Sequence, residues 1–466
     1  MTHAPLGMCE CKTCACWSIA EVRSGGVIII HAVVEKHPRS GYYAPMDLLR
    51  RNLTNRLLEA LSDTPVVLLH GARQTGKSTL VQDISRELHP ANYLTFDDAT
   101  TMGAAKRDPL AFIEAYDGPI VLDEVQRVPE IFVAIKALVD RDRTPGRFLL
   151  TGSANALLLP RLSESLAGRM EVLTLWPLSQ GEMASCQETF ADAMFSESMP
   201  TGTSERASTG EDLIGRVLCG GYPEIARRKT RARRTAWFDA YVTTVIHREL
   251  RDLANIEYLS ELPRLLRLLA ARAGDQLNYT EISGAVGLPQ TTVKRYLSLL
   301  EAIYLFLPLP AWTPNLGKRL IKRPKILLND SGLIAHLIGL DERQVERDAT
   351  SFGHALECFV AMELRKQISW SETRPSMYHF RTHKNVEVDL VLESPSGDLV
   401  GIEVKAATRV RDEDVRGLEL LKELAGERFR RGIVLYSGRQ CVPLGKDLHA
   451  LPIESLWRIR AQNKRT

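Results

Sequence analysis

The sequence predicts an α/β protein in which a parallel-sheet domain, a helical middle region and a smaller α/β domain follow one another along the chain. Short apolar runs that alternate with helical segments up to about Trp176 are typical of a parallel sheet with helices on both faces. After a stretch rich in Ser, Thr and Gly at 196–210, the pattern becomes helical. From about Phe352 onward, a helix, two alternating strands, another helix and an apolar run at 432–436 indicate the second α/β unit.

Length and composition fit several domains and give no sign of a membrane protein. A chain of 466 residues is too long for one ordinary hydrophobic core. Its formal charge of +3 is too small to indicate nucleic-acid binding without a local basic patch. The longest apolar run, 27–34, is too short to span a bilayer, and the first residues lack the order of a signal peptide. We therefore expect a cytoplasmic protein with no membrane partner.

The amino-terminal residues 1–45 are predicted to be an extension outside the folded core. Four of the eight cysteines lie between residues 9 and 16, where their thiolates could bind a soft metal. No second Cys or His pair follows at a spacing suited to a zinc module, so metal binding stays the alternative. Met46 begins a sequence that looks like a natural start of the next domain.

The first predicted domain, 46–180, opens with a helix and continues with strands of a buried parallel sheet. Leucines recur at helical spacing between residues 49 and 61. The run 66–69 is continuously apolar, as expected of a strand covered on both faces. Further strands are predicted at 93–96, 119–122 and 147–150.

The helical middle region, 181–345, contains a segment at about 259–312 with the spacing of a helix-turn-helix or winged-helix unit. Thr280 is expected to cap a short helix, Gly287 to make the turn, and residues 290–302 to form a second helix. Lys294 and Arg295 on that helix, and six basic residues within 227–234, could contact a phosphate backbone. A packing module or a protein-docking surface is the alternative in each case.

A phosphate-binding loop follows the first predicted strand. The sequence from Gly71 to Ser78 fits G-x-x-x-x-G-K-[ST] in the strand-to-helix context that the motif requires. We expect Lys77 to contact the β- and γ-phosphates of ATP and the Ser78 hydroxyl to bind Mg²⁺. The predicted ATP-binding residues are Gly71, Ala72, Arg73, Gln74, Thr75, Gly76, Lys77, Ser78 and Thr79.

Polar residues after two further strands complete the predicted nucleotide site. Asp123 and Glu124 end a buried strand, so we expect Asp123 on the Mg²⁺ side and Glu124 to polarise the attacking water. Capping of the next helix is the alternative for this pair. Ser153 or Asn155 could orient the water, although an ordinary loop is also compatible with the sequence. Arg169 could act as an arginine finger, in cis or in trans, or be a surface residue.

The order of these motifs makes the sequence similar to a bacterial and archaeal family of AAA-superfamily ATPases. The motifs in order are Gly71-Ala-Arg-Gln-Thr-Gly-Lys-Ser, Leu122-Asp-Glu-Val-Gln126, Thr151-Gly-Ser, Leu166-Ala-Gly-Arg169, Pro177-Leu-Ser and Gly220-Gly-Tyr-Pro-Glu224. The resemblance covers nearly everything from Met46 onward. It implies an AAA-type fold, ATP use, a helix-turn-helix-like segment and a carboxyl-terminal domain of unknown function.

The last predicted domain, 346–466, carries a second set of polar residues. Asp389 lies on one strand of a predicted hairpin, and period two places Glu403 and Lys405 on one face of the other. The pattern resembles restriction-endonuclease-like, or PD-(D/E)xK, nucleases, with Glu357 matching their helix glutamate. The resemblance implies that Glu357, Asp389 and Glu403 hold Mg²⁺ while Lys405 activates water. A solvated strand face is the alternative.

These patterns lead us to expect an Mg²⁺-dependent ATPase coupled to a nuclease-like, nucleic-acid-associated domain. The alternative is an ATP-dependent regulatory switch whose degenerate nuclease-like domain only binds protein or DNA. DNA, a protein partner and further copies of the chain are the possible partners besides ATP. The sequence does not specify the substrate or the oligomeric state.

Overall fold

The computed structural model of the chain describes residues 49–153, 166–197, 210–246, 250, 259–319 and 322–459. Residues Leu49–Thr466 cluster as one unit. The predictions on residues 1–45 and on Asn155 therefore lie outside the described residues. In the part of the chain that is described, no helix is long and apolar enough to cross a membrane.

The first part of the chain folds around five parallel strands in the order β2-β3-β4-β1-β5. Every residue of β1, β3 and β4 is buried, because helices cover both faces of the sheet. The strands predicted from apolar runs are confirmed, with ends shifted by one or two residues. The elements are α1 (Thr54–Asp63), β1 (Val66–His70), α2 (Lys77–Glu87), β2 (Asn92–Thr95), α3 (Ala99–Arg107), α4 (Pro109–Glu114), β3 (Ile120–Asp123), a 3-10 turn (Val125–Arg127), α5 (Ile131–Arg141), β4 (Phe148–Gly152) and β5 (Met170–Thr174).

Helices dominate the region that follows, with one two-stranded antiparallel sheet, β6-β7. Its leucine- and aromatic-rich helices share one apolar core with the carboxyl-terminal domain. The elements are α6 (Gln180–Met183), α7 (Phe190–Ala193), α8 (Gly210–Cys219), α9 (Pro223–Ala226), α10 (Arg231–Thr244), a 3-10 turn (Leu259–Glu261), α11 (Leu262–Ala271), α12 (Tyr279–Val286), α13 (Gln290–Ala302), β6 (Phe306–Leu309), α14 (Leu316–Arg319), β7 (Lys325–Leu328), α15 (Ser331–Ile338) and α16 (Glu342–Arg347).

The predicted helix-Gly-helix pair is α12 and α13, with Gly287 between them in the left-handed region at φ +73°. The expected cap at Thr280 is corrected by the structure. Asn278 is the N-cap, because its side-chain oxygen accepts hydrogen bonds from the Thr280 and Glu281 backbone N–H groups. Asn278, two residues before Thr280, satisfies the unpaired N–H groups at the start of the helix. The spacing of apolar residues alone does not show which of the two residues is the cap.

The carboxyl-terminal domain is a separate mixed sheet of six strands in the order β12-β13-β11-β10-β9-β8, preceded by a long helix. Strands β8, β9 and β10 are antiparallel neighbours, whereas β10, β11 and β13 run parallel. The elements are α17 (Ala349–Ile368), β8 (Ser376–Arg381), β9 (Glu387–Glu393), β10 (Leu399–Lys405), a 3-10 turn (Asp412–Asp414), α18 (Arg416–Ala425), a 3-10 turn (Gly426–Arg428), β11 (Phe429–Tyr436), β12 (Val442–Pro443), β13 (Leu448–Pro452) and α19 (Ser455–Arg458).

Strand β8 was not predicted from the sequence. Its register shifts between Tyr378 and Phe380, so that His379 and Phe380 are both buried although they are adjacent. A shift of this kind breaks the alternation by which a half-buried strand is recognised. The predicted β9–β10 hairpin is confirmed.

Helix α17 joins the carboxyl-terminal domain to the segment that leaves the parallel sheet. The Lys366 ammonium donates to the Leu178 carbonyl at 2.9 Å and to Glu363 Oε1 at 2.6 Å. Glu363 in turn accepts a hydrogen bond of 2.8 Å from the Gln180 backbone N–H. All of these groups are buried, so the two parts of the chain are fastened by paired polar groups within an apolar core.

Candidate functional site

The loop between β1 and α2 has the backbone shape of a phosphate cradle. Gly71 has φ +145° and Gly76 has φ +93°, both in the region that favours glycine. A Cβ atom on Gly71 would lie 2.3 Å from the Leu175 carbonyl oxygen, so this position admits no side chain. Because α2 begins at Lys77, its amino-terminal N–H groups open towards the loop, where they favour an anion.

Lys77 folds back over the loop that precedes it. Its ammonium donates to the carbonyl oxygens of Gly71 at 2.9 Å and Ala72 at 2.8 Å. The side chain is 5 % exposed. Phosphate oxygens at the same place would compete for these donors, as expected of a P-loop lysine.

The other predicted loop residues have distinct surroundings. The buried Thr75 hydroxyl donates to the Ala72 carbonyl at 3.0 Å and tightens the turn. Gln74 is exposed with φ +64°, and Arg73 is half-buried. Thr79 lies exposed in the first turn of α2.

Asp123 is the centre of a hydroxyl network at the carboxyl ends of three strands. The Ser78 hydroxyl donates to its Oδ1 at 2.9 Å, and the Thr151 hydroxyl donates to the same oxygen. Tyr93 donates to Oδ2 at 2.8 Å. Burial, together with the charge of Asp123, raises the pKa of Tyr93 to about 12, so Tyr93 stays a donor. The Ser78 and Asp123 oxygens are thus adjacent, and both are hard ligands that suit Mg²⁺ brought in with ATP.

Glu124 is held by its backbone and by Gln126, to which the sequence analysis assigned no role in the site. Its φ of +60° turns the chain sharply after β3, and its N–H donates to Thr151 Oγ1 at 3.1 Å. The Gln126 amide nitrogen donates to Glu124 Oε2 and, at 3.0 Å, to Ser153 Oγ. Ser153 therefore reaches Glu124 through Gln126. The sequence signal for Gln126 was its place at the end of the motif Leu122-Asp-Glu-Val-Gln126.

Arg169 is not brought to the phosphate loop of its own chain. It precedes β5, whose first residue, Met170, lies opposite Val66 at the start of β1, whereas the loop follows the other end of β1. Four residues of strand separate these two sheet edges, roughly 13 Å. The Arg169 Nε donates to Asp140 Oδ1 at 2.5 Å.

Arg51, another residue absent from the predicted set, stabilises the phosphate loop from a position outside the loop sequence. Its guanidinium donates to the Thr75 carbonyl at 2.7 Å and to the Trp176 carbonyl at 2.7 Å, and it pairs with Glu182 at 3.0 Å. The side chain is buried. No spacing rule identifies it, because its partners lie up to 131 residues away in the sequence.

His70 connects the phosphate loop to the middle region. The Tyr304 hydroxyl lies 2.7 Å from its Nδ1, and Thr174 Oγ1 lies 2.8 Å from its Nε2. Burial, with the charge of Lys77, lowers the pKa of His70 to about 4, so the ring is neutral at pH 7. Tyr304 follows the helix α13, and Trp176 packs edge-on against its ring.

The predicted residues of the carboxyl-terminal domain do converge. Asp389 Oδ2 accepts a 2.9 Å hydrogen bond from the Val404 N–H, next to Glu403, whose Oε2 lies 3.4 Å from the Asp389 nitrogen. Lys405 Nζ lies 2.9 Å from Glu403 Oε1. Glu357 reaches the same place from α17. The alternative of a solvated strand face does not describe this cluster, because Asp389 and Glu403 are buried.

A fifth residue, Lys325 of β7, lies where the carboxylates meet. Its ammonium is 2.6 Å from Glu357 Oε1 and 3.3 Å from Asp389 Oδ1, and the residue is 2 % exposed. Burial favours its neutral form, but the charges of Glu357 and Asp389 outweigh this and hold its pKa above the usual value. Lys325 is therefore charged and paired with both carboxylates.

The cluster as it stands does not fit the predicted Mg²⁺ site. Among the described residues, no group of three or more His, Cys, Asp or Glu side chains is arranged to hold a metal ion. The expected ligands Glu357, Asp389 and Glu403 are close, but the Lys325 ammonium takes the place between two of them. Burial, and then the charge of Asp389, raises the pKa of Glu357 and of Glu403, whereas the ammonium groups of Lys325 and Lys405 oppose this rise.

Three protein families match successive parts of the chain, and the first match covers the parallel sheet and its phosphate loop. Residues 63–184 match a family described as "AAA domain". Residues 210–344 match "Domain of unknown function (DUF8612)" and residues 352–456 match "Domain of unknown function (DUF4143)". The chain thus carries an AAA-type P-loop ATPase domain, followed by a helical region and a mixed-sheet domain.

Relatives along nearly the whole chain define the family. "Uncharacterized protein Rv2008c" of Mycobacterium tuberculosis and "Uncharacterized protein Mb2031c" of Mycobacterium bovis are each 31% identical over 409 residues, 87% of this chain and 84% of theirs. The chain belongs to the same protein family as these two proteins. An "Uncharacterized protein" of Haemophilus influenzae is 22% identical over 68% of this chain and 78% of its own length.

Two solved structures show weaker similarity. The RuvB Holliday junction branch migration motor of Thermotoga maritima is 17% identical, with a TM-score of 0.28 over 63% of this chain and 93% of that one. The signal transduction ATPase PH0952 of Pyrococcus horikoshii is 12% identical, with a TM-score of 0.22 over 72% of this chain and 48% of that one.

Proposed function

We propose that the chain is an Mg²⁺-dependent ATPase whose nucleotide state is transmitted to the carboxyl-terminal domain. The observation that carries the proposal is the assembly of Ser78, Asp123, Glu124 and Ser153 at one edge of the sheet, beside Lys77. Lys77 supplies a cationic hydrogen-bond donor for the phosphates, and Ser78 and Asp123 supply two oxygens that would hold Mg²⁺. Glu124 supplies a carboxylate for the attacking water, and the Ser153 hydroxyl helps to position that water.

Each side chain has a separate role in the hydrolysis. Lys77 exchanges its bonds to the loop carbonyls for the β- and γ-phosphate oxygens. Glu124 accepts a proton from the attacking water while the water oxygen bonds to the γ-phosphorus and the bond to the ADP oxygen breaks. Ser78 and Asp123 would hold Mg²⁺, which would neutralise charge on the phosphates. Gln126 holds Glu124 in position through the Oε2 contact.

Two connections support transmission to the rest of the molecule. His70 directly precedes Gly71 and is bonded to Tyr304, so a shift of the loop displaces the end of the α12–α13 segment. On the other side, the Leu178 N–H donates to the Gly221 carbonyl at 2.7 Å, and the Gly221 N–H donates to Asp330 at 2.6 Å. Asp330 closely follows β7, the strand that carries Lys325.

We propose that Arg169 acts in trans, on the nucleotide of a neighbouring copy. Its place at the sheet edge away from its own loop leaves it accessible to a neighbouring copy, and its side chain is 24 % exposed. Arg169→Ala should then slow hydrolysis only at protein concentrations where copies associate. A rate per active site that depends on concentration in wild type, and does not in the variant, is the expected result.

The decisive experiment for the ATPase uses two variants. Lys77→Ala should abolish ATP binding, because the phosphates lose their main cationic donor. Glu124→Gln should keep ATP binding and cut turnover by roughly 10²- to 10⁴-fold, the range for a lost catalytic acid or base. Nucleotide affinity and steady-state phosphate release are measured on both. Wild-type turnover in both variants would refute the assignment.

A nuclease-like domain acting on nucleic acid is the second candidate function. It is favoured by the convergence of Asp389, Glu403 and Lys405 with Glu357. The rival role, binding of DNA or a protein without cleavage, is favoured by the paired Lys325. Cleavage of single- and double-stranded DNA with Mg²⁺ or Mn²⁺, with ATP hydrolysis followed in parallel, separates the two. Metal-dependent cleavage that Asp389→Asn abolishes would support the first.

DNA contact by the basic residues has less support from the structure than from the sequence. Arg227 and Arg228 both pair with Glu224, and Arg231 pairs with Asp341. Lys294 lies over the ring of Tyr279 at 5.2 Å. Since these charges are partly compensated, we propose that any DNA contact there is weak and salt-dependent. Comparison of ATPase rates with and without DNA at two salt concentrations tests this.

A further inference from the structure

Lys325 comes from outside the domain whose carboxylates it binds. It is the first residue of β7, which pairs with β6 in the helical middle region, opposite Leu309. Its side chain crosses to Glu357 on α17 and to Asp389 on β9. The contact therefore joins two parts of the fold through a buried ion pair rather than through a strand partner.

The ammonium uses the oxygens that a metal ion would need. Divalent cations bind carboxylate oxygens directly, at about 2.0–2.6 Å, and need several of them at once. Lys325 already bonds one oxygen of Glu357 at 2.6 Å and contacts one of Asp389 at 3.3 Å. A divalent ion between these oxygens would also lie against a fixed positive charge, which repels it.

We propose that Lys325 is the built-in counter-ion of the carboxylate cluster and excludes a divalent metal from it while β7 packs against the carboxyl-terminal domain. The inference rests on the proposed nuclease-like character of that domain and not on the ATPase. In this arrangement the domain has the carboxylates of a metal site, but the Lys325 ammonium prevents a metal ion from binding to them. Removal of the Lys325 charge, with the fold retained, creates a divalent-metal site at Glu357, Asp389 and Glu403.

The test uses the full-length, nucleotide-free protein and Mn²⁺ alone as the probe. Binding is measured by calorimetric titration and by the shift in unfolding temperature. Wild type is compared with Lys325→Met, with Asp389→Asn and with Lys325→Met/Asp389→Asn. Lys322→Met is the matched control, since Lys322 lies three residues away and its ammonium donates to the Arg381 carbonyl at 3.2 Å. Any Mn²⁺ held at the phosphate loop is common to all five proteins.

Lys325→Met should bind Mn²⁺ at least tenfold more tightly than wild type, and the added Asp389→Asn change should remove the gain. Lys322→Met should match wild type. Two results overturn the proposal: wild-type Mn²⁺ binding that Asp389→Asn abolishes, or a folded Lys325→Met protein with wild-type affinity. ATP hydrolysis measured on the same samples shows separately whether the proposed ATPase holds.

Lys325→Met removes the ammonium partner of the partly buried Glu357 carboxylate, which is expected to destabilise the fold. Lys325→Gln is then the substitute, since its amide still donates hydrogen bonds but carries no charge. Soluble Lys325→Gln with at least tenfold tighter Mn²⁺ binding, or recovered only when Mn²⁺ is present, supports the proposal. Soluble Lys325→Gln with wild-type affinity refutes it.

Discussion

Gln126 links two residues of the nucleotide site, because its amide nitrogen donates to both Glu124 and Ser153. Its own Oε1 is buried and has no hydrogen-bond partner among the described residues. An unsatisfied buried acceptor costs stability, which a functional position can justify. We interpret Gln126 as a positioning residue that fixes the carboxylate of Glu124.

Gln126→Ala should lower kcat for ATP hydrolysis by about 100-fold, the scale expected when a reacting group is displaced by an ångström. The KM for ATP should change little, because Gln126 does not contact the loop that binds phosphate. Gln126→Glu should be worse, since a second carboxylate would repel Glu124. Gln344→Ala, at an exposed position of α16, is the control. A rise in KM with unchanged kcat would contradict the positioning role.

His70 makes the loop sensitive to acid. Its folded-state pKa of about 4 lies below the usual 6.5, so the folded state favours the neutral ring. The resulting stability is present above pH 6.5 and is lost as the pH falls from 6.5 towards 4, to a limit of roughly 3 kcal/mol.

His70→Gln should therefore reduce the loss of unfolding free energy between pH 7 and pH 5, because an amide does not titrate. Denaturant unfolding of wild type and variant at both pH values measures it. Taking the difference between the proteins removes contributions from other titrating groups, such as Glu357. An equal loss in both proteins would show that His70 does not cause the acid sensitivity.

At the scale of single elements, the β1–α2 loop depends on a backbone shape that only glycine permits. Gly71 has φ +145° and faces the Leu175 carbonyl that follows β5. The loop is therefore defined both by its own sequence and by a strand about a hundred residues later.

Gly71→Ala should abolish ATP binding and lower the unfolding free energy by roughly 1–3 kcal/mol, since the added Cβ meets backbone at 2.3 Å. Gly103→Ala is the matched control. Gly103 lies within α3, and a Cβ added there would have no other atom within 4 Å, so the change should add roughly 0.5–1 kcal/mol of stability. Nucleotide titration and thermal unfolding distinguish the two. Equal effects would show that the close approach at Gly71 is unimportant.

At the scale of the whole molecule, the unit Leu49–Thr466 contains every motif of the proposed ATPase. Arg51, near its beginning, is bonded to the phosphate loop through the Thr75 carbonyl. A cut before residue 46 and a cut after Arg51 should therefore differ sharply in their effects.

Removal of residues 1–45 should leave ATP hydrolysis unchanged and shift the unfolding free energy by less than about 0.5 kcal/mol. Removal of residues 1–53, the control, should weaken ATP binding, because the Arg51 contacts to Thr75, Trp176 and Glu182 are lost. Zinc content of the full-length protein tests the alternative role of the cysteine cluster. A large loss of stability in the shorter truncation, together with bound zinc, would overturn the prediction.

Local patterns were sufficient for the parallel sheet and for the polar residues at its edge. Buried strands such as β1 and β3 are short apolar runs, and parallel strands bring their carboxyl ends to one edge. That geometry alone predicts the approach of Ser78 to Asp123. The irregular strand β8 escaped prediction because its register shift removes the alternation.

The sequence by itself therefore determined the phosphate loop, the acidic pair and the convergence of Asp389, Glu403 and Lys405, since each depends on spacing within one strand, turn or hairpin. Only the tertiary structure decided that Lys325 pairs with Glu357 and Asp389, that Arg51 braces the loop, and that Arg169 lies away from it. The contacts of Lys325 and Arg51 join residues far apart in the chain, where ion pairs and hydrogen bonds to carbonyl oxygens offset the cost of burying a charge. No local periodicity records such a pairing, so it becomes visible only when the chain is folded.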